Sequence, residues 1–560
     1  MSLRGSRRTV DFLRFSLDTF TVIVAMLVAV LFSGLLARML PLAVPLPFVQ
    51  IALGFLIAAV FQRGVLIEPD IFFLLFLPPL LFLDGWRISK LAVVRESSSI
   101  VQLAFGLVFL TVVGVGYLIH WMIPNVPLPV AFAIAAIVSP TDPVAVEAIS
   151  RRVHIPRRMM AILEGEALFN DASGLVAFRF AVAAAATGTF SLQQATLSFI
   201  WVSVAGLSIG AGLTWIIMEL RTIAARRLGE EPGTEVLLSL LTPFFVYFVA
   251  EQAEASGILA AVAAGVMMSY SELSGRALAA TRMERRAVWD MVQFTLNGMI
   301  FVLLGEQFPT IFAGLTRAAH EAGGESLWWL PLYGLAVCLG LVLCRLLWVT
   351  VSLKISAMTA RRRGAQPPDV GLRVVLAMSV AGVRGAVTLA GVMTIPLAMD
   401  TGEPFPTRDL AVSLAAMVIV FSLLLASVAL PPLMRGLHFP ANSRVQREAS
   451  LAQEAMLQAA LDSIAAGVKR RIASDPERAA VYTKVADDLT VSLKRQFGTA
   501  ANEADAELLG RQIAIERELR LDAIAASRDA VFHLARTHRI SDALAREQGR
   551  RLDLHEAHLR

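Results

Sequence analysis

Runs of about 20 apolar residues recur from residue 19 to residue 433, and lipid is the solvent in which a chain can leave that much apolar surface outward. As helices rising ~1.5 Å per residue, such runs cross the roughly 30 Å hydrocarbon core. Most of the chain therefore reads as lipid-facing helices, and an all-α membrane protein is expected. The pattern predicts about 13 spans, near 19–38, 45–61, 70–84, 100–120, 127–150, 157–187, 193–219, 235–251, 256–270, 287–305, 328–353, 373–397 and 409–433. Of 560 residues, 56% are hydrophobic and 17% charged, where soluble proteins sit near half and a quarter. That excludes an ordinary soluble enzyme. No small-residue cleavage site follows 19–38, which therefore reads as a membrane helix and not a signal peptide.

The net charge of +5 does not point to nucleic acid, because most Lys and Arg lie in short loops between the runs. Arg151, Arg152, Arg157 and Arg158 share one side with Arg361, Arg362 and Arg363. The positive-inside rule assigns that side, and the C-terminal tail with it, to the cytoplasm. Arg4, Arg7, Arg8 and Arg14 break the rule. Cys338 and Cys344, in one run, point in different directions on a helix; with no disulfide framework or zinc spacing, no cofactor is expected.

Two spans contain residues that a lipid-facing helix avoids. Ser139-Pro140-Thr141-Asp142-Pro143 interrupts the fifth, where each proline removes an amide donor and frees a carbonyl. Ala381-Gly382-Val383-Arg384-Gly385-Ala386 interrupts the twelfth with a permanent cation between two glycines. Irregular backbone at membrane depth must line a cavity or be buried in protein. Spans five and twelve correspond if spans 1–6 and 8–13 are inverted repeats around a linking seventh, and paired broken helices mark the substrate site of secondary transporters. Beyond residue 435 the composition shifts to Ala, Glu, Arg, Leu and Gln at helical spacing. Three regions are expected: an N-terminal segment (1–15), a transmembrane domain (16–435) and a soluble helical tail (436–560), with Ser474-Asp475-Pro476-Glu477 starting a tail helix by a hydroxyl cap.

The sixth span carries Glu164-Gly165-Glu166-Ala167-Leu168-Phe169-Asn170-Asp171, three carboxylates and an amide in an apolar helix. At ~1.5 Å per residue Asp171 lies roughly 20 Å from its inner end, near the midplane. Glu164 and Asp171 share one face; Glu166 and Asn170 share another. A carboxylate at that depth costs at least ~3 kcal/mol and persists beside a partner charge, a water-filled cavity or a transported ion. A protonated or salt-bridged packing residue is the plainer alternative for Asp171, against which Asp142 independently marks a broken helix. Desolvation favours a neutral carboxyl and an arriving cation the ionised one, so proton and cation exclude each other. A small hard cation wants about six oxygens, which freed carbonyls, Thr141, Asp142, Asp171 and water can supply. Arg384 must be paired or hydrated; Glu166 or Glu164 is the natural partner in a structural bridge, and direct ion handling is the alternative. Asp84, ending the third span, is a membrane-edge acid or part of the site; Asn297 is an interhelical hydrogen-bonder or part of the site. Arg179 and Arg345 can snorkel to an interface or serve function.

Ser-Pro-Thr-Asp-Pro at 139–143, Gly-Glu-Ala-Leu-Phe-Asn-Asp at 165–171, Gly-Val-Arg-Gly-Ala-Val at 382–387 and Leu-Pro-Pro-Leu-Leu-Phe-Leu-Asp-Gly at 77–85 together resemble the sodium/hydrogen exchanger superfamily of cation/proton antiporters. The resemblance spans roughly residues 15–435 and is to the NhaP-like branch. It implies the NhaA-like fold of inverted repeats with crossed broken helices, in a homodimer that works as an elevator. Carried over residue by residue, Asp171 matches the proton and cation carboxylate, Asn170 and Asp142 its neighbours, Thr141 an oxygen donor, Asp84 the third-span acid, and Glu166 with Arg384 a buried ion pair. The Asn170-Asp171 pair resembles the branch that exchanges one cation for one proton. Implied is Na⁺/H⁺ exchange, extending to Li⁺, for pH and salt homeostasis in a bacterial-type inner membrane, with lipid around it and no nucleic-acid partner. K⁺/H⁺ exchange is the nearest alternative. A non-transporting ion sensor is a different class, and an intramembrane aspartyl protease lacks its Tyr-Asp and Gly-x-Gly-Asp signatures. Many relatives carry Ser four residues before the ion-binding Asp; here Ala167 stands there, removing one hydroxyl ligand.

Overall fold

The computed structural model describes residues 3–39, 44–61, 69–88, 90–143, 146, 155, 157–187, 192–229, 231–273, 279–323, 326–362, 371–396, 405–435, 443–497, 503–537, 539 and 542–559. Their regular structure is helical throughout. In chain order the helices of the first unit are α1 (Leu3–Met39), α2 (Leu46–Phe61), α3 (Pro69–Arg87), α4 (Lys90–Val101), α5 (Val108–Met122), α6 (Leu128–Ile137), α7 (Arg157–Thr187), α8 (Leu192–Leu228), α9 (Pro232–Gln252), α10 (Gly257–Leu273), α11 (Ala279–Glu321), α12 (Trp329–Arg362), α13 (Leu372–Val380), α14 (Ala386–Met393) and α15 (Arg408–Met434). Among the described residues eight helical stretches are long and apolar enough to cross a membrane, and three further apolar helices, in α2, α6 and α10, are shorter.

The expected runs fall on these helices, but the ends differ where charge extends a helix past its apolar stretch. The run 287–305 lies inside the 43 residues of α11, whose first turns carry Arg282, Glu284, Arg285 and Arg286. Likewise α1 starts at Leu3, so most of the segment 1–15 continues the first helix. The run 127–150 is helical only through Ile137 before its break. Arg151, Arg152 and Arg363 lie outside the described residues, as do the side chains of Arg4, Arg7, Arg8, Arg14, Arg157 and Arg158.

Polarity is inverted relative to a soluble protein. Phe109, Trp121, Trp201 and Leu343 face outward while Glu166 and Arg345 are buried, the arrangement expected where lipid and not water surrounds the fold. With no hydrophobic drive between helices in lipid, close packing has to hold them, and small residues allow it. A Cβ on Gly54 would run into the Val302 carbonyl oxygen, and one on Gly305 into that of Ile51, so α2 and α11 touch backbone to backbone.

A π-helical turn, Gln102–Leu107, joins α4 to α5. Such turns shift the hydrogen-bond register and often mark functional sites. Here outside donors reach two of its carbonyls: Trp348 Nε1 bonds that of Gln102 at 2.8 Å and Ser173 Oγ that of Ala104 at 2.8 Å. The turn thereby anchors α7 two residues beyond Asp171.

Each of the two expected breaks exists. After α6 the chain runs irregularly through Ser139-Pro140-Thr141-Asp142, and between α13 and α14 it runs irregularly through Gly382-Val383-Arg384-Gly385. Buried amides need partners, and the breaks supply one another: Asp142 N–H donates to the Val383 carbonyl at 2.7 Å. The Arg384 amide is taken by Ser422 Oγ of α15 at 3.1 Å.

The chain divides into two compact units, Met1–Leu437 and His438–Arg560. The second contains α16 (Ser443–Ser474), a 3₁₀ turn at Pro476–Arg478, α17 (Ala479–Phe497), α18 (Glu503–Arg536) and α19 (Asp542–Leu559). Arg528 pairs with Asp553 and Glu556, linking α18 to α19. The expected hydroxyl cap is absent. Ser474 Oγ donates back to the Arg471 carbonyl at 2.9 Å, ending α16 instead of starting α17, because that carbonyl lies within its reach one turn back, where it also takes the Asp475 amide at 2.8 Å.

Candidate functional site

Where the breaks meet, Asp84, Thr141, Asp142, Asp171 and Asn297 line one cavity of about 50 Å³, together with Ala167, Gln293, Gly385 and Thr388. One ordered water needs only ~10–15 Å³, so the space suits a small ion with water. Five sequence-predicted residues thus converge from α3, the first break, α7 and α11. Asp171 is buried, and among the described residues no ion pair or hydrogen bond ties its carboxyl to a basic partner. No three His, Cys, Asp or Glu side chains among the described residues close on a single point as a resident metal site would.

Gly385 has a steric reason to be glycine. A Cβ there would collide with Asp142 Oδ2, so any side chain would push the carboxylate out of its seat between the two breaks.

Behind the cavity wall runs a buried polar network. Asn170 Nδ2 donates to Thr141 Oγ1 at 2.8 Å, and Thr141 Oγ1 donates to Glu166 Oε1 at 3.4 Å. Glu166 is fully buried and receives both terminal nitrogens of Arg345, Nη1 on Oε1 at 2.5 Å and Nη2 on Oε2 at 2.6 Å. Arg345 Nε donates to the Met378 carbonyl of α13 at 2.8 Å. A guanidinium fork matched to a carboxylate is the geometry that best compensates two charges removed from water.

This corrects the expected ion pair. Arg384 is not the partner of Glu166: its Nη1 folds back onto the Gly382 carbonyl at 2.7 Å, and it makes no ion pair among the described residues. The break that puts Arg384 at membrane depth also frees an acceptor within its reach, while Arg345 enters from α12 with its fork already aligned. Snorkelling is excluded for Arg345, which is 1% exposed. It lies at the midpoint of Trp329–Arg362, whereas the expected span 328–353 set it eight residues, about 12 Å, from one end. Glu164 is half-buried on α7 and does not belong to the cavity lining. Arg179 is exposed towards the end of α7. Gln293, Thr388 and Ser422 were not singled out by sequence; no spacing signal marks them, since their roles come from neighbours distant in the chain.

A helical protein whose two broken helices meet at buried carboxylates around a small cavity has the architecture of a secondary transporter. The profile described as "Sodium/hydrogen exchanger, transmembrane" matches residues 23–436. YjcE of Escherichia coli, described as an uncharacterized Na⁺/H⁺ exchanger, is 38% identical over 546 residues, 97% of this chain and 99% of that protein. A protein of Bacillus pumilus described as a sodium, potassium, lithium and rubidium/H⁺ antiporter is 42% identical over 74% of this chain and 61% of its own length. The structure of the sodium proton antiporter MjNhaP1 from Methanocaldococcus jannaschii matches in fold, with a TM-score of 0.57 at 18% identity over 75% of this chain and 99% of that one. The chain belongs to the sodium/hydrogen exchanger family. It is a multi-pass membrane transporter, a cation/proton antiporter and not an enzyme.

Proposed function

We propose that this antiporter exchanges one Na⁺ for one H⁺ at Asp171, electroneutrally, with Asp142, Asp84 and Asn297 shaping the cavity and Glu166, Thr141 and Asn170 holding the carboxylate in place. The observation that carries this is the separation of roles along α7. Arg345 neutralises Glu166, while Asp171, one turn further on, faces the cavity without an ion pair among the described residues. A single titrating carboxylate holds either one proton or one monovalent ion, so each cycle moves no net charge. Thirteen spans in two inverted repeats, with a cytoplasmic helical tail from about residue 436, account for the paired breaks and the loop arginines. A homodimer in which the half containing the crossed breaks slides against the rest, in a bacterial-type inner membrane, is the working arrangement, and pH and salt homeostasis its use.

K⁺ transport is the second reading. The Bacillus pumilus relative is described as handling sodium, potassium, lithium and rubidium, and Ala167 lines the cavity without a hydroxyl, which relaxes the selection for a small ion.

Dye-monitored proton flux in proteoliposomes, with Na⁺, Li⁺ and K⁺ added in turn, tests both. Electroneutral Na⁺/H⁺ exchange predicts flux with Na⁺ that an imposed membrane potential leaves unchanged, and a rate that falls at both ends of the pH range, where protons block loading or become too scarce to bind. Flux driven by the potential would sink one-for-one exchange; flux with K⁺ and none with Na⁺ would replace the first reading by the second. Removing residues after 445 should leave exchange intact in form; its complete loss in a folded truncation would make the tail part of the machinery.

A further inference from the structure

Thr388 lies in the first turn of α14, just past the second break. Its side chain lines the cavity with Asp171 and Asp142, yet its hydroxyl is buried and has no hydrogen-bond partner among the described residues. Helical hydroxyls normally donate to a carbonyl one turn back. Thr222, Thr242, Thr350, Ser379 and Ser427 do so here, at 2.7–2.9 Å. Other buried hydroxyls that lack a partner, at Ser139, Ser203, Thr214 and Thr281, do not belong to the cavity lining.

The cavity's other hydroxyl is already engaged. Thr141 Oγ1 accepts from Asn170 and donates to Glu166. On the α7 wall Ala167 contributes no oxygen at all. A hard monovalent cation drawn to a carboxylate still needs neutral oxygens to replace its hydration shell, and their number and placement decide which ion fits. A buried hydroxyl in the first turn of its helix, with no partner among the described residues and bordering the carboxylates, is such an oxygen.

We propose that the Thr388 hydroxyl is a ligand of the transported cation and helps to set the preference among Li⁺, Na⁺ and K⁺. The site would then take oxygens from the first break and from the helix that follows the second, so that loading draws α14 and the first break onto the same ion. The proposal rests on the antiport reading above.

The test uses the full chain with Thr388→Val, which keeps the shape and removes the oxygen, Thr388→Ser, which keeps the oxygen, and Thr388→Ala. Half-saturating cation is read from proton flux in proteoliposomes at fixed pH with Na⁺, Li⁺ and K⁺ chlorides. Cation-induced thermal stabilisation in detergent gives a second reading that needs no transport. Thr388→Val should raise half-saturating Na⁺ about tenfold, the cost of one lost ligand on the scale of 1.4 kcal/mol per decade, and change the order of the three ions. The maximal rate at saturating cation should stay within about twofold, and Thr388→Ser should restore the wild-type values. If Val misfolds, Ala against Ser gives the same contrast. Unchanged half-saturation and order in Val and Ala overturn the proposal, as does a Ser variant as impaired as they are. Wild-type protein stabilised by cations but moving no protons would sink the antiport reading instead, leaving the ligand assignment to be decided by the stabilisation data.

Discussion

Asp171→Asn inserts into the membrane and folds, but its cation-dependent proton flux drops to background. Asn neither releases a proton nor balances an arriving cation, so the loss should be at least about a hundredfold at every pH and with every alkali ion, not a displaced optimum. The substitution should leave the melting temperature unchanged or raise it. Asp171 has no ion pair among the described residues, and an amide of the same size in its place carries no charge to keep from water. Proton flux in proteoliposomes beside a melting curve in detergent checks both halves. Substantial flux in the variant would move the chemistry to another carboxylate, Asp142 or Asp84, and a collapse in stability would mean that Asp171 holds the fold and not the ion.

Arg345→Ala and Glu166→Gln should behave in the opposite way, with stability as the main casualty. Each leaves one charge of a fully buried, doubly hydrogen-bonded pair without its partner, a loss of about 3–5 kcal/mol. Arg345 also bonds the Met378 carbonyl, so its removal unties α7 from the first half of the second broken helix. Arg345→Lys should recover only part of the loss, since a point charge cannot reproduce two parallel bonds plus a third from Nε. Arg384→Ala should cost less, because Arg384 has hydrogen bonds and no ion pair among the described residues. Thermal unfolding of the four variants orders them. Arg384→Ala as damaging as Arg345→Ala would return Arg384 to the role of structural partner, and a vanishing coupling energy between Glu166 and Arg345 in a double-mutant cycle would remove the pair from the account.

The polar residues at the site were legible because their surroundings are so apolar. Asp171, Asn170, Glu166, the Ser139–Pro143 break and the Gly382–Gly385 break each violate the rule for a lipid-facing helix, and the structure brings the two breaks into direct contact. Helix ends were harder. Hydropathy stops where charge begins, but backbone hydrogen bonding does not, so α11 runs from Ala279 to Glu321 where 287–305 was expected. The same effect hid Arg345. A span expected to end at 353 left it about 12 Å from an interface, within reach of a snorkelling side chain, and the helix, which runs on to Arg362, puts it at its middle.

What the sequence determined by itself is whatever one helix must settle alone: that the chain is helical and lipid-facing, where its helices cannot continue, and which carboxylates lie too deep to be ornamental. Which groups then meet is a property of packing. Glu166 and Arg345 stand 179 residues apart, and Asp142 finds its carbonyl at Val383 through the contact of two breaks far apart in the chain. Periodicity reports the face a helix presents, while the neighbour pressed against that face depends on how every other helix is placed. The arginine that serves Glu166, the hydroxyl at Thr388 left without a partner among the described residues, and the space beside Asp171 were therefore decided only when the helices came together.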